Sequence, residues 1–179
     1  MALTATIYTI DIDLADSDRQ VYETLALKVA RHPSESEAYL LTRILAYALE
    51  YTDGIAFSRG LSEPDEPAIS VRNLTGDLRA WIDIGSPDAE RLHRAAKASP
   101  RVAVYTHKDP AQAVRRLEGA RIHKADAIEL YAIDRGLLGQ LAERLDRRIA
   151  FSLSVAEREL FVSIGSDTLT GAVIRHSIA

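Results

Sequence analysis

The stretch EPDEPAISVRNLTGDLRAWIDIG, residues 63–85, decides how the middle of the chain folds. Apolar and polar residues alternate on both sides of the dipeptide Thr75-Gly76, which is typical of a turn. This pattern predicts a β-hairpin whose tip lies at Thr75-Gly76, with Leu74 opposite Asp77. Three acidic residues, Glu63, Asp65 and Glu66, lie at the start of this stretch, and another, Asp83, lies inside its last apolar run.

The predicted register brings the acidic start of the hairpin close to Asp83. Ala68 lies opposite Asp83, and Glu66 projects from the same face as Asp83 because side chains on a strand alternate. If the pairing register of the hairpin shifts by one residue, Asp65 instead of Glu66 lies on the same face as Asp83. Two nearby carboxylates repel each other unless a cation or a proton lies between them, and a pair of carboxylates suits Mg²⁺. The alternative is that Asp83 faces solvent and pairs with Arg79.

The rest of the chain predicts a mixed α/β fold. A helix and a near-continuous apolar strand follow the hairpin, which adds a parallel βαβ crossover to antiparallel pairing. Strands are predicted at 2–14, 54–61, 101–107 and 127–134, helices at 17–30, from Ser34 onward, at 86–99, 110–119 and 135–147, and two or three antiparallel strands in 148–176.

Capping residues predict where the helices begin. Ser34-x-x-Glu37 fits a capping box, and Ser86 followed by Pro87 fits an N-cap and a first helical residue. Helical spacing of apolar residues predicts the buried stripe Leu41, Ile44, Leu45 and Ala48, and the helix at 17–30 is assigned from Val21, Leu25, Leu27 and Val29.

Composition limits the classes of protein that the chain can belong to. Its 179 residues are 47% hydrophobic, which predicts one domain, residues 1–179, with a full-sized core. The sequence has no run of 18 apolar residues and no signal-peptide pattern, so we expect a cytoplasmic protein without a membrane span. The absence of cysteine excludes disulfides and thiol catalysis. A net charge of −4 argues against a wholly basic surface, but the 22 Lys and Arg residues can form a local patch for nucleic acid.

Four motifs together resemble the YaeQ family of bacterial proteins: RHPSE (31–35), FSRGL (57–61), DEP (65–67) and WIDIGSPD (81–88). The resemblance implies a divergent restriction-endonuclease-like core, of the PD-(D/E)XK nuclease type, with the element order αβββαβ. That core would span about residues 34–107. An extra N-terminal strand and helix and C-terminal antiparallel strands would complete the fold.

The resemblance also implies a metal site. Glu35 corresponds to the helix Glu of the nuclease pattern, Asp65 or Glu66 to the acid at the start of the hairpin, and Asp83 to the (D/E) position. These residues would hold Mg²⁺ or Mn²⁺. We expect the carboxylates of Glu35, Asp83 and one of the hairpin acids to approach within about 8 Å, which metal coordination with a bridging water can span.

The chain departs from the nuclease pattern at the lysine position, which falls on Gly85. The following helix offers Arg91, His93, Arg94 and Lys97 as substitutes. His93 can act as a base near neutral pH, whereas Arg94 can stabilise charge but cannot accept a proton. His93 and Arg94 therefore join the four acids as candidate catalytic residues.

Three functions are compatible with these features. The first is a metal-dependent phosphodiesterase or nuclease, which the retained acids favour. The second is a non-catalytic binding or regulatory protein that kept a nuclease-like fold, which Gly85 and the acidic net charge favour. The third is a hydrolase of a phosphate-containing small molecule, which needs no extended basic groove.

Overall fold

A computed structural model describes residues 4–58 and 65–179. Glu63 and residues 59–61 of the FSRGL motif lie outside the described residues. The described chain is mixed α/β, as predicted, and divides into two compact units: residues 1–49 with 133–173, and residues 50–132 with 174–179. The single domain spanning residues 1–179 stays a prediction.

The regular elements follow one another in an order that agrees with most of the sequence prediction. They are β1 (Thr6–Asp16), β2 (Val21–Arg31), α1 (Glu37–Leu49), β3 (Ile55–Phe57), β4 (Ile69–Arg72), β5 (Leu78–Ile84), α2 (Ala89–Ala98), β6 (Val102–Thr106), α3 (Pro110–Leu117), β7 (Glu129–Ile133), α4 (Arg135–Glu143), β8 (Arg148–Ala156), β9 (Glu159–Ile164) and β10 (Asp167–His176). The run from α1 to β6 has the predicted order αβββαβ. Its relation to nucleases stays a prediction.

The first unit contains the strands β2-β1-β8-β9-β10, in that order. The helix predicted at 17–30 is wrong, because this segment is β2 and pairs antiparallel with β1 along its whole length. Leu25, Leu27 and Val29 are buried while the residues between them are exposed, which is the two-residue period of a strand. The three C-terminal strands are confirmed.

Helix α1 begins at Glu37, and its N-cap is Ser36 rather than Ser34. The Ser36 hydroxyl accepts a hydrogen bond from the backbone N–H of Tyr39 at 3.0 Å. Ser34 is instead bound to the His32 ring, with 2.7 Å between Oγ and Nδ1. The predicted stripe is buried, as are its neighbours Leu40 and Ala46, so most of the circumference of α1 is covered.

The second unit contains the strands β7-β6-β5-β4-β3, in that order. β5, β6 and β7 run parallel, whereas β3, β4 and β5 run antiparallel. All five residues of β6 are buried, as its apolar sequence predicted. Helices α2 and α3 cover one face of these strands through an apolar cluster that includes Trp81, Leu92, Val104 and Leu117.

Helix α2 begins two residues later than the capping pattern predicted. Asp88, not Ser86, is its N-cap, since the Asp88 carboxylate accepts from the N–H of Arg91 at 2.8 Å. Pro87 therefore precedes the helix instead of occupying its first turn. Both Ser and Asp can accept hydrogen bonds at the N-cap position, so the residue type alone does not distinguish Ser86 from Asp88.

No helix in the described ranges combines the length and apolar character needed to cross a membrane.

Candidate functional site

Asp83 lies beside the start of the hairpin, as predicted. Strands β4 and β5 pair in the predicted register, with Ile69 opposite Ile82. The backbone N–H of Ala68 points to Oδ1 of Asp83 at 3.4 Å. The register shifts after Val71, so the predicted tip pairing is wrong: Asn73, not Leu74, donates its N–H to the carbonyl of Asp77, at 3.0 Å. The hairpin therefore fixes Asp83 next to the segment that carries the other acids.

Arg91 of α2 holds the carboxylate of Asp83 through two contacts. Its Nε lies 2.7 Å from Oδ2, and its Nη2 lies 3.0 Å from Oδ1. The same Nη2 donates to the carbonyl oxygen of Glu66 at 2.7 Å, and the guanidinium carbon lies 5.3 Å from the Trp81 ring centroid. Asp83 is only 2% exposed, so this cation neutralises a buried charge. Its partner is thus Arg91 and not Arg79.

Asp65 and Glu66 are exposed and contribute no carboxylate to this assembly. Asp65 lies 3.6 Å from Nη1 of Arg94, and both side chains are largely in water, which makes the pair weak. The Glu66 carboxylate has no hydrogen-bond or ion-pair partner among residues 4–58 and 65–179. The start of the hairpin therefore supplies its backbone, rather than its acids, to Arg91.

Glu35 lies in the first unit, in the turn before α1, and has a cation of its own. Its Oε2 is 3.2 Å from Nη2 of Arg43, and its Oε1 accepts from the N–H of His32 at 3.3 Å. Arg43 also donates to the carbonyl of Ala30 at 2.7 Å. Glu35 is 6% exposed, so it forms a buried ion pair that ties α1 to the end of β2. Its predicted approach to Asp83 stays a prediction.

His93 packs α2 against the loop that precedes β7. Its Nδ1 accepts from the backbone N–H of His123 at 3.0 Å, and the two rings meet edge to face at 6.4 Å. This ring nitrogen is therefore occupied in a structural contact. The role of His93 as a general base stays a prediction.

Gly85, at the position of the nuclease lysine, has a backbone that disfavours lysine. Its φ is +91°, and its N–H donates to the carbonyl of Tyr105 at 2.8 Å. Glycine adopts such a φ readily, whereas residues with a Cβ are strained there. The departure from the nuclease pattern thus follows from the path of the chain out of β5.

Introducing the missing lysine is expected to destabilise the protein. We expect Gly85→Lys and Gly85→Ala each to lower the free energy of unfolding by about 1–2 kcal/mol, because the penalty lies in the backbone. Urea unfolding measures it. Gly139→Ala is the control, since Gly139 lies in α4 with open space at its Cβ position, and it should be neutral or stabilising. A Gly85→Lys variant as stable as the wild type would contradict this account.

The donors around Asp83 do not fit a divalent cation as they are arranged. Arg91 contacts both oxygens of Asp83, whereas Mg²⁺ needs free carboxylate oxygens. Within the described ranges, no three His, Asp or Glu side chains form a group that could hold a metal ion. The Mg²⁺ or Mn²⁺ site at Glu35, Asp65, Glu66 and Asp83 stays a prediction.

A second polar cluster in the second unit was not predicted. Arg101 binds both carboxylate oxygens of Glu50, at 2.6 and 2.9 Å, and both of Glu129, at 2.7 and 3.1 Å. Tyr105 donates to Glu50 at 2.7 Å and Tyr131 donates to Glu129 at 2.6 Å, and the two phenol rings stack at 5.0 Å. One cation thus serves two carboxylates.

The protonation states in this cluster follow from burial and pairing. Burial opposes charge on Glu129, but hydrogen bonds from Arg101 and Tyr131 outweigh it and lower the pKa of the carboxyl. Burial, followed by the nearby Glu50 charge, raises the pKa of Tyr105 well above its usual value. The hydrogen bond with Glu50 raises the pKa of Arg101, against the opposing effect of burial. At neutral pH the cluster therefore contains a charged Arg101, an ionised Glu129 and a neutral Tyr105.

The sequence suggested Arg91 only as a substitute for the nuclease lysine, not as the partner of Asp83, and it did not single out Arg43. Arg91 lies in the first turn of α2, where a helix that follows a strand packs back onto it. Arg43 lies inside the apolar stripe of α1, an unusual place for a charge. The position of Arg43 within the predicted buried stripe is the sequence signal that could have indicated a buried ion pair.

Comparison with known proteins identifies the family. The family model described as "YaeQ protein" matches residues 1–173. The chain belongs to the YaeQ family. Uncharacterized YaeQ proteins of Salmonella typhi and of Escherichia coli K12 are 31% and 30% identical to it, over 170 and 172 residues, with 94% of each chain covered.

Solved YaeQ structures have the same fold. The crystal structure of YaeQ from Pseudomonas syringae gives a TM-score of 0.85 at 29% identity and covers 96% of this chain and 95% of its own. That of YaeQ from Xanthomonas axonopodis pv. citri gives 0.87 at 28% identity, with 97% and 99% covered. The YaeQ resemblance expected from the four motifs is thus confirmed over nearly the whole chain.

Proposed function

We propose that this YaeQ protein is a non-catalytic binding protein that keeps a nuclease-like fold, with Arg91 in the place of a metal ion. The observation that carries the proposal is the double contact between Arg91 and the buried carboxylate of Asp83. A guanidinium balances the charge of Asp83 but supplies neither a Lewis acid nor an activated water. Gly85 supports the same conclusion, because its backbone leaves no strain-free place for the nuclease lysine.

The ligand we propose is the phosphodiester backbone of nucleic acid, held by the outer face of α2. Arg94 and Lys97 are both exposed and lie three residues apart, so they share a helix face. Arg94 is held only by a solvated pair with Asp65, and Lys97 has no partner in the described part of the chain. With a net charge of −4, such binding is confined to a local patch and is sensitive to salt.

A metal-dependent phosphodiesterase is the second candidate. It is favoured by the placement of Asp83 beside the segment that carries Asp65 and Glu66, through the contact with the Ala68 N–H. This function requires Arg91 to leave Asp83 and expose its oxygens. Metal binding and cleavage therefore separate the two candidates.

Binding without cleavage is the expected result with single-stranded DNA and RNA oligonucleotides. Fluorescence anisotropy over a series of salt concentrations gives the slope of log K against log salt. Arg94→Ala and Lys97→Ala should each reduce the magnitude of this slope by about 1, the value for one lost phosphate contact. Lys108→Ala, at an exposed position outside α2, is the control and should leave the slope unchanged. Calorimetry with Mg²⁺ and Mn²⁺ should give no binding heat, and the oligonucleotides should stay intact.

Two results would contradict the proposal. Cleavage that needs Mg²⁺ or Mn²⁺ and disappears in Asp83→Ala would establish the phosphodiesterase instead. An affinity for oligonucleotides that Arg94→Ala and Lys97→Ala leave unchanged would remove α2 as the binding surface.

A further inference from the structure

A small pocket in the second unit lies apart from the Asp83 and Arg91 pair and has the features of a ligand site. It has a volume of about 120 Å³ and lies between helices α2 and α3, over β6 and β7. Its wall is mostly apolar and includes Leu92, Val104, Leu117, Ile128, Leu130 and Ile178. A dry cavity of about 150 Å³ is known to accept benzene, so this volume suits a compact body of similar or smaller size.

The polar groups that line the pocket favour a negatively charged ligand. Arg116 is exposed on α3 and forms no hydrogen bond or ion pair with other residues in the described ranges. The Ser86 hydroxyl is likewise without a partner there. Asp88 is the acid that lines the pocket, and its carboxylate is engaged as the N-cap of α2. The open polar groups are thus a cation and a hydroxyl, both of which can donate to an anion.

We infer that this pocket binds a small organic carboxylate with a compact apolar body. The apolar body would displace water from the wall, and the carboxylate would accept from Arg116 in the paired geometry that guanidinium favours. Charge complementarity selects this occupant over a neutral molecule of the same shape, since only an anion gains a charge-assisted contact with Arg116. The inference does not rest on nucleic-acid binding by α2.

Benzoate and benzyl alcohol test the inference on the whole protein, because they share a shape and differ in charge. By NMR titration or calorimetry we expect benzoate to bind with a Kd between about 10 µM and 1 mM, as suits so small a ligand. Arg116→Gln should weaken benzoate about tenfold through the loss of one charge-assisted contact, and should leave benzyl alcohol unchanged.

Two further variants complete the design. Arg115→Gln, next to Arg116 on α3 but not in the pocket wall, should bind benzoate like the wild type. Ala113→Leu should fill the pocket and abolish binding of both probes, and if this variant fails to fold, the Arg116→Gln comparison still decides. Absence of benzoate binding up to about 10 mM, well beyond the range expected for a pocket that buries the whole body, would overturn the inference. Equal benzoate affinity in Arg116→Gln and the wild type would overturn it too.

Discussion

Replacing Arg101 with methionine is expected to lower the free energy of unfolding by about 3–5 kcal/mol, the largest effect of any single change considered for this protein. The substitution removes the cation that forms ion pairs with both Glu50 and Glu129, whose side chains are 9% and 16% exposed. The tyrosine hydroxyls remain, but two largely buried carboxyl groups would lose the cation they share. Urea unfolding at pH 7 measures the loss.

The pH dependence of this loss gives a second readout. Glu129 has a lowered pKa in the folded state, so its contribution is present above the unfolded pKa and disappears as the pH falls through the folded value. Arg101→Met lacks the guanidinium that favours ionised Glu129, so it does not lose this stabilisation when Glu129 is protonated. The difference in the free energy of unfolding between wild type and variant should therefore shrink as the pH falls below about 4.5, the usual pKa of Glu. A difference in the free energy of unfolding that stays constant with pH would mean that lost packing, not lost charge, explains the destabilisation.

Arg144→Met is the matched control. Arg144 pairs with Glu143 and Asp167, whose side chains are 77% and 55% exposed. Solvated pairs of this kind contribute at most about 1 kcal/mol. Adding Glu50→Gln and Glu129→Gln to the Arg101→Met variant should recover part of the stability, because no buried charge then lacks a partner. Equal losses in Arg101→Met and Arg144→Met would contradict the assigned role of the cluster.

The hairpin was predictable because its determinants are local. Alternation of apolar residues indicated which side chains are buried, and the predicted register agrees with the pairing of Ile69 with Ile82, although the pairing shifts by one residue after Val71. β2 was missed for the opposite reason. Leu25 and Val29 suit a helix as well as a strand, and pairing with β1 decided between the two.

The ionic partners were not predictable because sequence spacing does not determine which charges meet. Arg101 lies 51 residues from Glu50 and 28 from Glu129, and only the completed sheet brings them together. Asp83 had a nearer candidate in Arg79, four residues away on the same strand. Packing of α2 onto β5 selected Arg91 instead. The acids of the candidate site could thus be named from the sequence, whereas the pairing of Asp83 with Arg91 could not be predicted.

Arg91→Met is expected to cost about 2–4 kcal/mol, because it leaves the carboxylate of Asp83 buried and without its cation. Among the described residues, Asp83 would keep only the long contact with the Ala68 N–H, and the Glu66 carbonyl would lose the Arg91 donor. Asp83→Asn in the same background should restore part of the stability, since it removes the unpaired charge and keeps the shape. Thermal or urea unfolding of the single and double variants measures this coupling.

Divalent cations make Arg91→Met a test of the proposed function as well as of stability. If Asp83 only balances Arg91, millimolar Mn²⁺ should leave the variant as unstable as before, because a single buried carboxylate without further donors binds metal poorly. Arg94→Met is the control, because its partner Asp65 is 86% exposed and the pair is worth little. A variant that Mn²⁺ restores, with the effect abolished by Asp83→Asn, would mean that a metal site lies beneath the arginine and that the phosphodiesterase is the better proposal.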